Sequence, residues 1–207
     1  MTLAHGKLDV DPRTPIGAYA KAAIVALAGV AIGLAATYVS TGSGRLFGAA
    51  TSGAWTAWPK TGAMEADPYA RAAIARRAEV PLGNGEGVAF IARTDSAGAP
   101  LDGGCDYMIE GQPPVARFWT LAVYTPSGRL IGDAPGRREL TSSDVLRGTN
   151  GEAEIVTAPT ARAGNWLATP KGRPFVLALA LYDATASPTR TSLEALALPT
   201  IRKGDCR

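Results

Sequence analysis

Residues 115–125 read VARFWTLAVYT, and residues 173–183 read RPFVLALALYD. In the first stretch Val115, Arg117, Trp119, Leu121 and Val123 fall on one side of an extended chain, and Phe118, Thr120, Ala122 and Tyr124 on the other. In the second, Phe175, Leu177, Leu179 and Leu181 alternate with Val176, Ala178, Ala180 and Tyr182. The apolar run between Pro174 and Asp183 is too short for a comfortable helix and suits a central strand. Similar but shorter runs surround these two: VAFIART (88–94), DYMIE (106–110), RLI (129–131) and EAEIVTA (152–158). They are split by Asp102-Gly103-Gly104, Pro126-Ser127-Gly128, Asn150-Gly151 and Pro170-Lys171-Gly172, where Gly supplies positive φ and Pro fixes its own. Short strands with frequent turns predict a mainly β domain, an antiparallel β-sandwich or jelly-roll-like fold, without internal repeats.

Upstream of the strands, Asp67-Pro68 opens a short helix, with Asp as N-cap and Pro in the first turn. It runs through YARAAIARRAEV and stops before Pro81, and Arg71, Arg76 and Arg77 give it a basic, solvated side. Residues 40–63 are small, Gly-rich and aperiodic, which predicts a linker; Trp55 and Trp58 suit either the membrane interface or docking on the domain, and their distance from the helix end favours docking.

Residues 16–39, IGAYAKAAIVALAGVAIGLAATYV, carry one charge, Lys21, and show no polar stripe. Their length matches a helix crossing a bilayer. Lys7, Arg13 and Lys21 on the N-terminal side, against Arg45 and Lys60 beyond, predict an N-terminus in the cytoplasm and a domain outside it. A cleaved signal peptide is the competing reading; its apolar region is usually shorter, and no crisp small-x-small site stands around Thr37 to Ser43. Gly29 and Gly33 form a GxxxG, a spacing that arises easily in so Ala/Gly-rich a run, so a lone anchor is expected. The organisation expected is a cytoplasmic 1–15, an anchor 16–39, a linker 40–63 and an exported domain 64–207.

Composition narrows the chemistry. The 207 residues are 46% hydrophobic, too apolar for disorder, and suit one domain with an appendage. The net charge of +3 is spread over 21 basic and 18 acidic residues, so no nucleic-acid arm is expected. His5 is the only histidine. Residues 40–207 therefore lack the imidazole that Ser-His-Asp and Cys-His nucleophiles require, and lack His-rich metal sites; no metal and no cofactor are expected. Gly83-Asn84-Gly85-Glu86-Gly87 looks like a nucleotide loop but leads into a strand, so no helix N-terminus awaits a phosphate.

Cys105 and Cys206 both lie beyond the anchor, where an even pair closes in an oxidising compartment. A structural disulfide is expected; two unrelated buried thiols are the alternative. Asp106 and Glu110 alternate onto one strand face, the arrangement an acid/base pair or a hard-cation site uses. Since charged residues mostly face solvent, a solvated strand edge is the simpler reading. Trp119, Tyr124, Arg137, Asn165, Trp166 and Tyr182 are side chains of the kind that stack on sugar rings or fork onto anions, which makes them ligand-binding candidates. Trp119 and Trp166 are equally suited to a core.

The blocks Phe118-Trp119-Thr120-Leu121 with Tyr124, then Gly128, Leu130, Arg137, Asn165-Trp166-Leu167, Pro170-Lys171-Gly172, Phe175, Leu177 and Leu181-Tyr182, resemble the family called domain of unknown function 1214, over about residues 67–206. Short relatives share the anchor, the DPYARA helix, a Cys before the FWTL strand and a terminal Cys. The resemblance implies a bacterial envelope protein with a jelly-roll-like domain. Longer relatives carry a second domain, of unknown function 1254, ahead of the module. Relatives often have an Arg before the final Leu-Tyr, where this chain has Ala180. The expected function is a single-pass inner-membrane protein whose periplasmic domain binds a glycan, a lipid or a separately encoded domain-1254 protein without catalysis. The alternative is a carboxylate-dependent hydrolase of an envelope polymer using Asp106 and Glu110.

Overall fold

The computed structural model describes residues 16–43, 48–60, 63, 66–77, 82–83, 85–132, 136–149, 151–184 and 189–206. The chain divides into two compact units, Met1–Gly42 and Ser43–Arg207.

The first unit is built on one helix, α1 (Ile16–Ser43). Its segment Gly17–Val39, 23 residues, is long and apolar enough to cross a membrane. At 1.5 Å per residue it extends about 35 Å, more than a hydrocarbon core of about 30 Å. Protein covers none of it: Ile24 is 66% and Val25 71% exposed. The Thr37 hydroxyl donates to the Gly33 carbonyl, which keeps that polar group inside the helix.

The second unit contains β1 (Ala50–Ser52), β2 (Trp55–Ala57), α2 (Pro68–Arg77), β3 (Gly87–Ala92), β4 (Cys105–Glu110), β5 (Ala116–Tyr124), β6 (Glu139–Thr141), β7 (Ile155–Ala158), β8 (Asn165–Ala168), β9 (Val176–Ala184), α3 (Arg190–Glu194) and β10 (Thr200–Cys206). The strands form two open sheets. One has the order β1-β2-β3-β9-β5-β6, the other β10-β4-β7-β8. The architecture is mainly β, as the alternation predicts, and no sheet closes into a barrel. All pairs are antiparallel except β7–β8, which run parallel.

The central pair carries the logic of the fold. β5 and β9 pair with Trp119 opposite Leu181, Leu121 opposite Leu179 and Val123 opposite Leu177. These inner residues are all buried, and β3 adds Val88 and Phe90 to the same side. The other sheet contributes Tyr107, Ile109, Ile155 and Leu167, joined with them in one core cluster. Tyr107 meets Phe175 edge-on at 5.8 Å. Each such side chain contributes about 1.5–3 kcal/mol relative to exposure, so a one-residue slip of either central strand is strongly disfavoured.

Several segments depart from the sequence reading. Residues 50–57, expected to be linker, form a hairpin that extends the six-stranded sheet: Ser52 faces Trp55, and Trp55 faces Ala92 of β3. Its two-residue loop begins at Gly53, whose φ of +57° is the positive value such loops require. Trp55 is buried and its Nε1 donates to the Pro199 carbonyl at 2.7 Å, which secures the hairpin to the sandwich. RLI (129–131) makes only an isolated bridge, Tyr124 to Leu130. β6, β8, β10 and α3 carry too few β-branched residues in alternation, or too many charges, to be read as elements. The Asp67 carbonyl accepts the first α2 bond, from Arg71 N–H at 3.0 Å, as an N-cap does. α2 is described to Arg77; the remainder of its expected span, 78–80, lies outside the described residues, as do Pro81, Asn84 and Asn150. Glu86 closes a turn onto Gly83 before β3 begins, so strand follows the Gly-rich run.

Candidate functional site

β5 and β9 turn their even-numbered residues away from the core. Thr120, Ala178 and Ala180 then make a half-buried floor of small side chains on the outer face of the six-stranded sheet, with Ala122 beside them covered at 3% exposed. Aromatic rings stand at both ends of it. Phe118 and Tyr182, cross-strand neighbours, meet at 5.8 Å with planes inclined by 45°. Tyr124 stands six positions along β5 from Phe118, about 20 Å at strand rise. Burial pushes the Tyr124 phenol up, and nearby Glu139 and Tyr182 push the same way because a phenolate beside them is disfavoured. At pH 7 the Tyr124 end of the floor therefore presents a neutral hydroxyl.

The other aromatic candidates are employed elsewhere. Trp119 is a core residue, 6% exposed, beside Trp55, Ile109, Ile155 and Leu179 around a void of about 10 Å³, too small for any ligand. Asn165 is buried and clamps two loops. Its Oδ1 accepts from Leu146 N–H at 2.6 Å, and its Nδ2 donates to the carbonyls of Leu146 at 2.7 Å and Glu154 at 3.0 Å. Trp166 is half-buried, and its Nε1 donates to the Ala158 carbonyl at 3.0 Å. Its ring lies so close to Gly136 that a Cβ there would sit 2.5 Å from Cη2. Arg137 is exposed, and its carbonyl accepts from Ala168 N–H at 2.7 Å. Arg137 and Trp166 thus adjoin at the seam between β6 and β8, while Tyr124 and Tyr182 share the outer face.

The two carboxylates stand on the outer side of β4, alternating with buried Cys105, Tyr107 and Ile109. Each has its own arginine. Arg162 Nε donates to Asp106 Oδ2 at 3.1 Å, and Arg202 Nε donates to Glu110 Oε1 at 3.2 Å. The Arg202 guanidinium holds the Glu110 carboxyl below its ordinary range, the opposite of what a general acid at neutral pH needs. Cys105 and Cys206 are bonded, S–S 2.04 Å, and join the first residue of β4 to the last of β10. Among the described residues no cluster of three or more His, Cys, Asp or Glu forms a metal site.

Alternation alone places Phe118 and Thr120 with Tyr124, so the floor's β5 half is visible in sequence. Its β9 half depends on the β5–β9 register, which no local pattern encodes.

Residues 86–186 match the family described as protein of unknown function (DUF1214). The VPA0106 protein of Vibrio parahaemolyticus is similar in structure, with a TM-score of 0.54 and 21% identity over 68% of this chain. An uncharacterized protein of Burkholderia cenocepacia aligns at a TM-score of 0.42 and 19% identity over 62% of this chain. The chain covers 36% and 32% of those two solved chains, about a third of each. At such identities the Vibrio likeness speaks for the fold alone. No curated protein matches this chain.

Proposed function

We propose, for a chain whose residues 86–186 belong to the DUF1214 family, that it is a membrane-anchored exported module that binds an envelope glycan on the outer face of its six-stranded sheet and catalyses no reaction. The observation that carries this reading is the small-residue floor between Tyr124 and the Phe118–Tyr182 pair. Sugar rings lie flat on aromatic faces, and the small side chains of Thr120, Ala178 and Ala180 between those rings are half-buried. α1 is read as the anchor in a bacterial inner membrane. The flanking cations favour a periplasmic β-domain, and the Cys105–Cys206 bond is of a kind that persists in such an oxidising space. A hydrolase gains no support, because Asp106 and Glu110 sit in separate ion pairs. A separately encoded domain-1254 protein remains the partner suggested by the family resemblance.

The test is a titration of the full chain, solubilised in a neutral detergent, with N-acetylglucosamine oligomers of increasing length. Affinity rising with length, and lost in Tyr124→Ala and Tyr182→Ala at unchanged melting temperature, is the expected result. Binding untouched by both substitutions removes this face from the function. Turnover of the oligomers that Asp106→Asn or Glu110→Gln abolishes would establish the hydrolase instead.

A further inference from the structure

We infer that Glu139, on the β6 side of the Tyr124–Tyr182 face, makes one end of that face an ammonium subsite, so that the glycan taken there is an amino sugar with a free amine in preference to its N-acetylated form. The inference deepens the proposed function and rests on its reading of that face.

The sheet register puts the carboxylate there. Glu139 pairs with Ala122 of β5, and Thr141 with Thr120. Val123 N–H donates to the Arg138 carbonyl and Ser142 N–H to the Trp119 carbonyl, each at 2.9 Å. Ala122 and Glu139 fall between these bonds as a non-hydrogen-bonded pair, the kind whose side chains stand closest. Leu140 is buried in the core while Glu139 is exposed, which turns Glu139 to the outer face with Ala122. Tyr124, two positions along β5 from Ala122, is the diagonal neighbour of Glu139, about 7–8 Å away at the backbone and within reach of an aromatic ring. Ala122 between them carries only a methyl group. Both Glu139 and Tyr182 act electrostatically on the Tyr124 phenol, which brings a carboxylate and two phenols over one floor of small side chains.

The other charges of this face are engaged elsewhere. Arg117 and Asp183, at the Phe118 end, stand 3.9 Å apart. Arg93, which follows Ala92 of β3, reaches the Pro126 carbonyl at 3.4 Å, beyond the Tyr124 end. Just before Glu139 the chain turns from β5 toward the other sheet, where the Arg137 carbonyl accepts from Ala168 N–H at 2.7 Å. Glu139 itself is exposed and enters no ion pair among the described residues. A carboxylate beside a tyrosine ring suits an ammonium group in two ways. The carboxylate accepts a charge-assisted hydrogen bond from it, and the ring face attracts the cation. An acetamide brings no charge to either, while the phenol and threonine hydroxyls serve the sugar hydroxyls of both forms.

Calorimetry on the full chain in a neutral detergent, at pH 6 with the amines protonated, compares the tetramers of glucosamine and of N-acetylglucosamine. The expected result is glucosamine tetramer bound about tenfold or more tightly, the gain of a hydrogen bond to a charged group, with a preference that shrinks as salt is raised. Glu139→Gln lowers its affinity to that of the N-acetyl tetramer at unchanged melting temperature, and Glu139→Lys reverses the order. The chain's net charge of +3 repels an oligomeric cation, so non-specific attraction does not produce the preference. N-acetylglucosamine tetramer bound as tightly as glucosamine tetramer, or a preference that survives Glu139→Gln, overturns the inference and leaves the proposed glycan face standing. Binding of neither tetramer overturns both.

Discussion

Replacing Asn165 by Asp tests whether that residue serves the fold or a ligand. The buried amide accepts one bond from Leu146 N–H and donates two, to the carbonyls of Leu146 and Glu154. Asp has nearly the same shape and keeps the accepted bond. Its second oxygen then faces two carbonyls with nothing to donate. Each lost bond leaves a buried acceptor at a cost of about 1–3 kcal/mol, so about 3–4 kcal/mol is expected for the two before any charge is buried. In a domain of this size about 1 kcal/mol moves the melting temperature by 2–4 °C, so the drop at pH 7 is about 6–16 °C. The loss is pH-dependent in a definite sense. Burial against carbonyls raises the folded-state pKa of the new carboxyl above its unfolded value of about 3.9, so the folded state holds a proton that the unfolded state releases. Stability relative to the parent protein therefore falls as pH rises above about 4, and is partly recovered at low pH, where the neutral acid donates one bond. Thermal unfolding followed by circular dichroism at pH 4.5 and pH 7, alongside Asn165→Ala as a variant without a titrating group, measures it. An Asp variant that melts with the parent at pH 7 would refute the clamp and return Asn165 to the binding candidates.

Three further outcomes follow from the same geometry. Cys105→Ser with Cys206→Ser opens a cross-link spanning 101 residues and lowers unfolding free energy by about 4.7 kcal/mol on the loop-entropy estimate; denaturant unfolding measures it, and alkylation of the native protein should label neither cysteine in the parent. Thr157 is buried and its hydroxyl has no partner among the described residues, so Thr157→Val should raise stability by about 1 kcal/mol, and a lowered melting temperature would contradict that. The Glu110 carboxyl is held below its ordinary range by Arg202, so the pair contributes above the unfolded value of about 4.3 and is lost as pH falls through the lower folded value; Glu110→Gln should flatten the acid side of the stability profile.

What could be read from the chain, and what could not, divides by the range of the interactions involved. β5 and β9 were legible because period-2 alternation is a local signal: it puts Trp119 with Leu121 on one face and Leu177 with Leu179 on another, and the fold then buries those faces, which takes Trp119 out of the ligand candidates. The disulfide was legible because only two cysteines exist, both beyond the apolar helix. The hairpin at 50–57 was not, because its stability comes from Trp55 reaching Pro199, 144 positions away, while its own residues are small and Gly-spaced. Asn165 shows the same limit: chemistry alone made it a ligand candidate, and only the fold reveals that Leu146 and Glu154 already use its amide. Tyr124 and Tyr182 share a face because β5 and β9 are neighbours, a pairing made across about sixty residues of chain that no local pattern announces.

The most direct measurement of the central claim, an anchored domain delivered across the membrane by α1, is a pair of C-terminal fusions after residue 207 expressed in a bacterial host. Alkaline phosphatase folds only where disulfides form, whereas a cytosol-restricted fluorescent protein is bright only inside. Active phosphatase in the membrane fraction with a dark fluorescent fusion is the expected result. Bright fluorescence with inactive phosphatase would place the β-domain in the cytosol and contradict the account.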